Sequence, residues 1–228
     1  MEKKKLSLTY RFLRFIGLNY SEEEYGQVSL WQVVKRTAKT YRDGFVLKFG
    51  MDSWLLSPVL PRKLRPAILR TIGCQVGKNV FIGDHVRIDS GHADMIIIEE
   101  HAHIAGGVRI LCHQRNLHNY CIRDDYAKLG YIVKPVVLKK GCLVGMESFV
   151  MPGVTIGEGA IVGAGSLVTH DIPAWTIATG RTAKVVKEIP NRSMEGDYKE
   201  INKSFIRGRV NYYNSTYYRC STNQFDAA

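Results

Sequence analysis

From residue 138 to residue 168 an aliphatic side chain returns at every sixth position: Leu138, Val144, Val150, Ile156, Val162 and Val168. Such a run arises by chance on the order of once in a thousand tries. The position four residues after each is small or apolar: Cys142, Ser148, Val154, Ala160, Ser166 and Ile172. Six matches neither helical periodicity nor strand alternation. It is the period of a parallel β-helix, in which each hexapeptide forms one flat side of a triangular coil and three close a turn. The aliphatic points inward and stacks on its counterpart one coil away. The small residue fits the corner, and the glycines that follow the aliphatic, Gly145, Gly157 and Gly163, are expected to supply positive φ there. A β-sandwich with glycine turns fits poorly, because sandwich strands alternate by two.

The same step appears earlier, at Val76, Ile82 and Ile88 and again at Ile98, Ile104 and Ile110. Four extra residues, 94–97, are expected to interrupt it while keeping an apolar strand inside. Between Ile110 and Leu138 the repeat fails, and residues 111–135 read as a polar, aromatic loop inserted into the solenoid. Insertions of this kind are usually functional. Residues 1–71 read as a mainly helical extension. An amphipathic segment, LSLTYRFLRFIGL, is followed by SEEEYGQVSLWQVVKRTAKTYR with an acidic first turn. A short basic helix after Pro61 should end before Gly73. The repeats are placed in residues 72–188. The last part, 189–228, holds a short helix near 193–208 and a tyrosine-rich tail.

Composition is that of a globular protein, with 45% hydrophobic and 23% charged residues. Five cysteines without a CxxC pair point to a reducing, cytoplasmic setting, with some of them plain core residues. No apolar run approaches a membrane span, and Arg11 and Arg14 interrupt the start too early for a signal peptide. The net charge of +11 is uneven: residues 1–71 hold fourteen Lys or Arg against six Asp or Glu. A basic region meets nucleic acid, an anionic membrane or a phosphorylated ligand. No nucleic-acid motif accompanies it, so no nucleic acid is expected, and a peripheral contact with an anionic membrane stays open. The first segment either lies on a membrane surface or packs on protein.

The stretch LKKGCLVGMESFVMPGVTIGEGAIVGAGSLV and its continuation GAGSLVTHDIPAWTIATGRTAKVV resemble the hexapeptide-repeat acyltransferases, of the galactoside and maltose O-acetyltransferase type. The resemblance covers roughly half the chain. It implies a left-handed parallel β-helix, against the usual right-handed crossover rule. It also implies acetyl-CoA as co-substrate, a sugar or polysaccharide-precursor hydroxyl as acceptor, a homotrimer with sites between subunits, and no metal. Acyl transfer from a thioester to a hydroxyl needs a base, an oxyanion donor and a site holding both substrates. By resemblance the base is His113, where a coil ends and the loop leaves, with His118 as competitor. The oxyanion donor is the backbone N–H of Met146. Ala164 and Thr169 match backbone positions that hold the pantetheine arm, and Lys184 and Lys187 match basic positions at the nucleotide phosphates. The chain departs from the family pattern at His170, in place of a lysine, and at Arg181-Thr182, in place of Asn-Pro; Arg181 is the expected substitute contact. The loop offers Arg115, Asn116, Tyr120, Asp124, Asp125 and Tyr131 as acceptor contacts. His85, His92, His101 and His103 are expected to be solvated side groups.

Two other readings remain open. The same fold serves γ-type carbonic anhydrases, and His113 and His118 have the H-x4-H spacing of two zinc ligands, with His85 or His92 as a third. A non-catalytic binding scaffold is the other.

Overall fold

The computed structural model describes residues 6–17, 25–52, 61–126 and 129–191. All but Pro190 and Asn191 lie in one compact unit, Met1–Ile189. The helix expected near 193–208 lies outside the described residues.

The six-residue period becomes strand register. Three parallel sheets form the three faces of a coil. The first face carries Gln75–Val76, Ile96–Ile98, Val136–Leu138 and Thr155–Ile156, and aligns Val76, Ile98, Leu138 and Ile156. The second carries Phe81–Ile82, His103–Ile104, Leu143–Val144, Ile161–Val162 and Thr176–Thr179, and aligns Ile82, Ile104, Val144, Val162 and Ala178. An antiparallel strand, Lys184–Glu188, closes its end. The third carries Arg87–Ile88, Arg109–Ile110, Phe149–Val150 and Leu167–Val168, and aligns Ile88, Ile110, Val150 and Val168. All of these aligned residues except Val76 and Ile88 are buried. Each buried Val, Leu or Ile contributes about 1.5–3 kcal/mol, so a stacked column is the main source of stability. This is a parallel β-helix.

The residues four after each aliphatic line the corners inside, including Val80, Ala102, Cys142 and Ala160. Buried Ser148 and Ser166 are satisfied by donating to the Gly163 carbonyl at 3.1 and 2.6 Å. The glycines, however, serve a different purpose from the one expected. Positive φ falls three residues after the aliphatic, at Asn79, Glu147 and Gly165 (54°, 54° and 69°) for example. Gly145, Gly157 and Gly163 give clearance instead. A Cβ on Gly145 would stand 2.5 Å from the Ala164 nitrogen of the next coil. The polar turn residue Asn79 tolerates the left-handed region through its short side chain.

Among the described residues, three helices precede the coils. α1, Leu8–Phe15, is capped by Ser7, whose Oγ accepts the Tyr10 N–H at 3.1 Å. α2 spans Leu30–Asp52, and the acidic stretch 22–24 expected as a first turn lies outside the described residues. The helix starts behind a capping box, in which Gln32 N–H donates to Ser29 Oγ at 3.3 Å and Ser29 N–H donates to Gln32 Oε1 at 3.0 Å. α3, Leu64–Ile72, ends at Gly73 with φ 120°. Leu69 and Ile72 join Met51 in the core beneath the first coil. That coil would otherwise present unpaired carbonyls. Arginines take them: Arg70 donates to Val76 O and Gly77 O at 2.9 and 2.6 Å, Arg65 to Ile82 O at 2.9 Å, and Arg62 to Asn79 O at 3.1 Å. Part of the basic charge is therefore structural.

Both irregularities leave the prism at one edge, between the third face and the first. In the first coil the extra residues form a 3-10 helix, Ser90–Met95, and not the 94–97 segment expected. Residues 96–98 are a regular inward strand. In the second coil residues 111–135 leave at the same edge. The loop begins as a two-stranded antiparallel ribbon, His113–Arg115 with Tyr131–Val133.

Candidate functional site

Because the two irregular segments sit on adjacent coils at one edge, they bring three side chains together. Asp89 directly follows the inward Ile88 and is only 8% exposed. Its Oδ2 accepts from His113 Nδ1 in a short hydrogen bond, and it stands 3.2 Å from His92 Nδ1. The Cys112 N–H also donates to it at 3.3 Å. The His92 and His113 ring centroids are 5.1 Å apart. The His113 side chain is 38% exposed, so one nitrogen is held from below while the ring stays open to solvent. Burial pushes the Asp89 carboxyl up, but hydrogen bonds and charge from His113, then from His92, outweigh it and hold the carboxyl below the usual range. The group is an anion at neutral pH.

His113 thus sits where the sequence put it, at the root of the loop, with its backbone fixed by the ribbon and by the Lys134 N–H donating to Cys112 O at 2.9 Å. Tyr131 meets the His113 ring edge-on at 5.4 Å. Arg115 lies 4.1 Å over the Tyr131 ring and 5.1 Å from the Tyr126 ring, and donates to the Leu129 carbonyl. Arg115 therefore clips the ribbon. Asn116 Oδ1 accepts the His118 N–H at 3.1 Å and Asp124 Oδ2 accepts the Cys121 N–H at 2.8 Å, both as loop-building contacts. His118 is exposed and is not one of the Asp89 cluster. Tyr120, Asp125 and Tyr131 are exposed on the loop.

The remaining candidates divide between two edges. Met146, Ala164 and Arg181 run up the edge between the second and third faces. Gly165 N–H donates to Met146 O at 2.7 Å, and Arg181 Nε donates to Gly165 O at 3.1 Å. Thr169 lies on the His113 edge, two coils further on, with its Oγ1 2.8 Å from His170 Nδ1. Lys184 and Lys187 are exposed on the antiparallel strand closing the second face. The width of the third face separates His113 from Met146 within one chain. A cavity of about 430 Å³ opens at the remaining edge, beside His101, Lys140 and Trp175, and holds none of these residues.

Asp89 was not among the candidates, and His92 was one only as a third zinc ligand. His92 is a half-buried partner of Asp89 and not a solvated side group, because the 3-10 helix folds it back over the loop root. His103 is also half-buried, stacked on Phe81 at 4.1 Å, and its pKa is lowered by burial and then by Arg62. His85 pairs with Asp52 at 3.2 Å on another edge, apart from His92 and His113 of the same chain. The available signal was the register slip itself, which starts one residue after Asp89. Burial pushes the thiols of Cys74, Cys112 and Cys142 up to about 12, 11 and 12, so these are inert core groups. Among the described residues, Asp89, His92 and His113 form a possible ion-holding group, with ligand atoms all within 4.8 Å of one another.

Comparison with known proteins bears on the coils that carry this site. Residues 135–170 match the family described as bacterial transferase hexapeptide (six repeats). A candidate acetyltransferase of Staphylococcus aureus (strain COL) is 34% identical over 117 residues, 51% of this chain and 56% of its own. The chain thus spans little more than half the length of such relatives. The candidate colanic acid biosynthesis acetyltransferase WcaF of Escherichia coli (strain K12) is 29% identical over 173 residues, 71% of this chain and 87% of its own. A hexapeptide-repeat acetyltransferase of Vibrio cholerae, solved with acetyl coenzyme A, is 21% identical and shares the fold with a TM-score of 0.55, covering 75% of this chain and all of that one. Residues 135–170 thus carry the repeat of the bacterial hexapeptide transferases, and it is through these coils that the chain is similar to them.

Proposed function

We propose that the protein is an acetyl-CoA-dependent O-acetyltransferase acting on a hydroxyl of a sugar or polysaccharide precursor, with His113 as general base. The observation that carries this is the His113–Asp89 pair at the root of the inserted loop. A carboxylate on Nδ1 fixes the tautomer and leaves Nε2 to accept a proton. Nε2 takes the acceptor hydroxyl proton as the oxygen attacks the thioester carbonyl. The tetrahedral oxyanion is met by a backbone N–H, that of Met146. As the C–S bond breaks, the imidazolium returns the proton to the departing thiolate. Asp89 stabilises the imidazolium and keeps its own negative charge.

Within one chain His113 and Met146 stand on different edges. They serve one reaction when the His113 edge of one copy meets the Met146 edge of the next, as around a threefold axis. This supports a homotrimer of left-handed coils with sites between subunits. Ala164, Arg181, Lys184 and Lys187 then line the donor side, the cations suiting CoA phosphates. Tyr120, Asp124, Asp125 and Tyr131, with Asn116 and Arg115 shaping the loop, line the acceptor side. The protein works in the cytoplasm, its basic N-terminal part drawing it to an anionic membrane.

The test is thiol release from acetyl-CoA against a panel of sugar acceptors, with sedimentation for assembly. No turnover with any acceptor, or a stable monomer that is fully active, overturns the reading. One observation favours a zinc enzyme instead: Asp89, His92 and His113 together offer three ligand atoms. A stoichiometric zinc ion in the active, purified protein, lost with activity on chelation, selects that reading.

A further inference from the structure

α1 and α2 each bury one side and expose an apolar stripe on another. On α2 the stripe is Trp31, Val34, Ala38, Tyr41, Phe45 and Phe49, all exposed, with Trp31 at 74% and Tyr41 at 76%. At 3.6 residues per turn these six fall within about 100° of the helix circumference. The buried residues Asp43, Gly50 and Met51 lie on the other side. Phe45 and Phe49 stack on each other at 4.6 Å. On α1, Leu8, Phe12, Phe15 and Ile16 are exposed at the spacing of one helical face, opposite buried Tyr10 and Leu13, with Leu8 at 80% and Phe15 at 87%.

The charges on these helices have one sign at the surface. Arg11 and Arg14 on α1, and Lys35, Arg36, Lys39, Arg42 and Lys48 on α2, are exposed. The two acids of α2 are withdrawn: Asp43 is buried against Arg42, and Asp52 pairs with His85 and Arg87. By helical geometry Lys35 and Arg42 border one side of the α2 stripe and Lys48 the other. Unlike Arg62, Arg65 and Arg70, none of the α2 cations is tied to the carbonyls of the first coil. Among the described residues no helix is long and apolar enough to cross a membrane.

An apolar stripe edged by cations fits the boundary between acyl chains and anionic headgroups, where aromatic rings enter and long basic side chains reach back to phosphate. A second copy meeting face to face would set like charges against each other. We infer that α1 and α2 insert their apolar stripes into the surface of an anionic lipid bilayer. This deepens the peripheral placement proposed above, which rested on charge alone, and is independent of the transfer chemistry.

The two kinds of binding respond differently to salt. Charge alone is screened as ionic strength rises from about 0.05 M to about 0.5 M, whereas inserted side chains are not. The probe is co-sedimentation of the full chain with vesicles of phosphatidylglycerol and phosphatidylethanolamine, against phosphatidylcholine alone. Wild type should bind the anionic vesicles and retain a salt-resistant fraction. The double variant Phe45→Ser/Phe49→Ser should lose at least about tenfold in affinity at every salt concentration, since two large apolar groups no longer leave water. Its circular dichroism and its acetyl transfer in solution should be unchanged. Unchanged vesicle binding by the variant, or complete loss of wild-type binding at high salt, overturns insertion. So does a wild-type oligomer without lipid that falls apart on the same substitutions, because the stripes would then join copies. Loss of acetyl transfer in wild type would strike the enzymatic reading and leave this one standing.

Discussion

Two edges of the same prism are built from the same repeat and behave differently. Between the second and third faces every coil turns in four residues, and Met146 and Ala164 sit on turns stacked so closely that glycine is needed beside them. Between the third face and the first, two successive coils break the period, with Ser90–Met95 in one and residues 111–135 in the next. The regular edge offers backbone groups at fixed spacing. The irregular edge offers side chains that meet from distant parts of the chain: Asp89 and His113 are 24 residues apart and share a hydrogen bond. The repeat makes a rigid ruler, and the departures from it place titratable groups.

The comparison breaks most severely if His113 is dispensable. His113→Ala should lower kcat by about two to four orders of magnitude with little change in acetyl-CoA affinity. Met146→Ala should be nearly neutral, because only its N–H is used. Steady-state kinetics with isothermal titration of CoA decides this. A full-rate His113→Ala enzyme whose His118→Ala counterpart is dead moves the base five residues along the loop.

Asp89→Asn tests whether the irregular edge works as a pair. Activity should fall about a hundredfold, because the amide no longer fixes the imidazole tautomer or balances its charge. The sign of the acid response follows from the lowered Asp89 pKa. A carboxyl that ionises more easily when folded stabilises the protein above its unfolded pKa, and that stabilisation is lost as pH falls through the folded value. Thermal melts of wild type should therefore lose stability on acidification below the usual carboxylate range, and Asp89→Asn should flatten that part of the curve. Identical curves would mean that the Asp89 contacts do not form.

How much of this was legible in the sequence differs between the edges. Ile82, Val144, Val162 and their partners announced the coil, because an inward position every six residues leaves a mark that needs no three-dimensional knowledge. His113 was legible through its place at the end of a coil. Asp89 and His92 were not, since their partnership depends on two breaks in period falling at the same edge of neighbouring coils, and a local pattern does not report which edge a break leaves from. The glycines were found but given the wrong task. Gly145 and Gly157 look like turn residues along the chain, and only the neighbouring coil shows that a side chain has no room. Arg62, before α3, and Arg65 and Arg70, within it, were counted as free charge until the carbonyls of the first coil showed where they go.

Gly157→Ala sharpens the glycine part of the comparison. A Cβ there meets the backbone of Ala174 in the next coil, and backbone cannot swing aside. The cost should be about 1–3 kcal/mol, seen in denaturant melts. Gly165→Ala, where φ is 69° and no neighbour lies within 4 Å, should cost only the left-handed conformation, about 1–2 kcal/mol. On the antiparallel strand that closes the second face, Lys184→Ala with Lys187→Ala should raise the acetyl-CoA KM several-fold and leave kcat and the melt intact. An unchanged KM removes both from the donor side.

The smallest effect should come from His92. Its Nδ1 stands 3.2 Å from the same Asp89 oxygen that His113 holds, so the two imidazoles share one acceptor. His92→Ala takes away a competing donor and leaves Asp89 wholly to His113, which makes the carboxylate a better partner for the imidazolium. The kcat should change by only a few-fold, and the acid limb of the kcat/KM profile should move to higher pH. Asp89→Asn should move it the other way, because the negative charge is gone. Opposite displacements identify Asp89 as the group through which His92 acts. If His92→Ala instead abolishes turnover and removes a bound zinc ion, the three residues are metal ligands, and the irregular edge is a metal centre and not a proton-transfer pair.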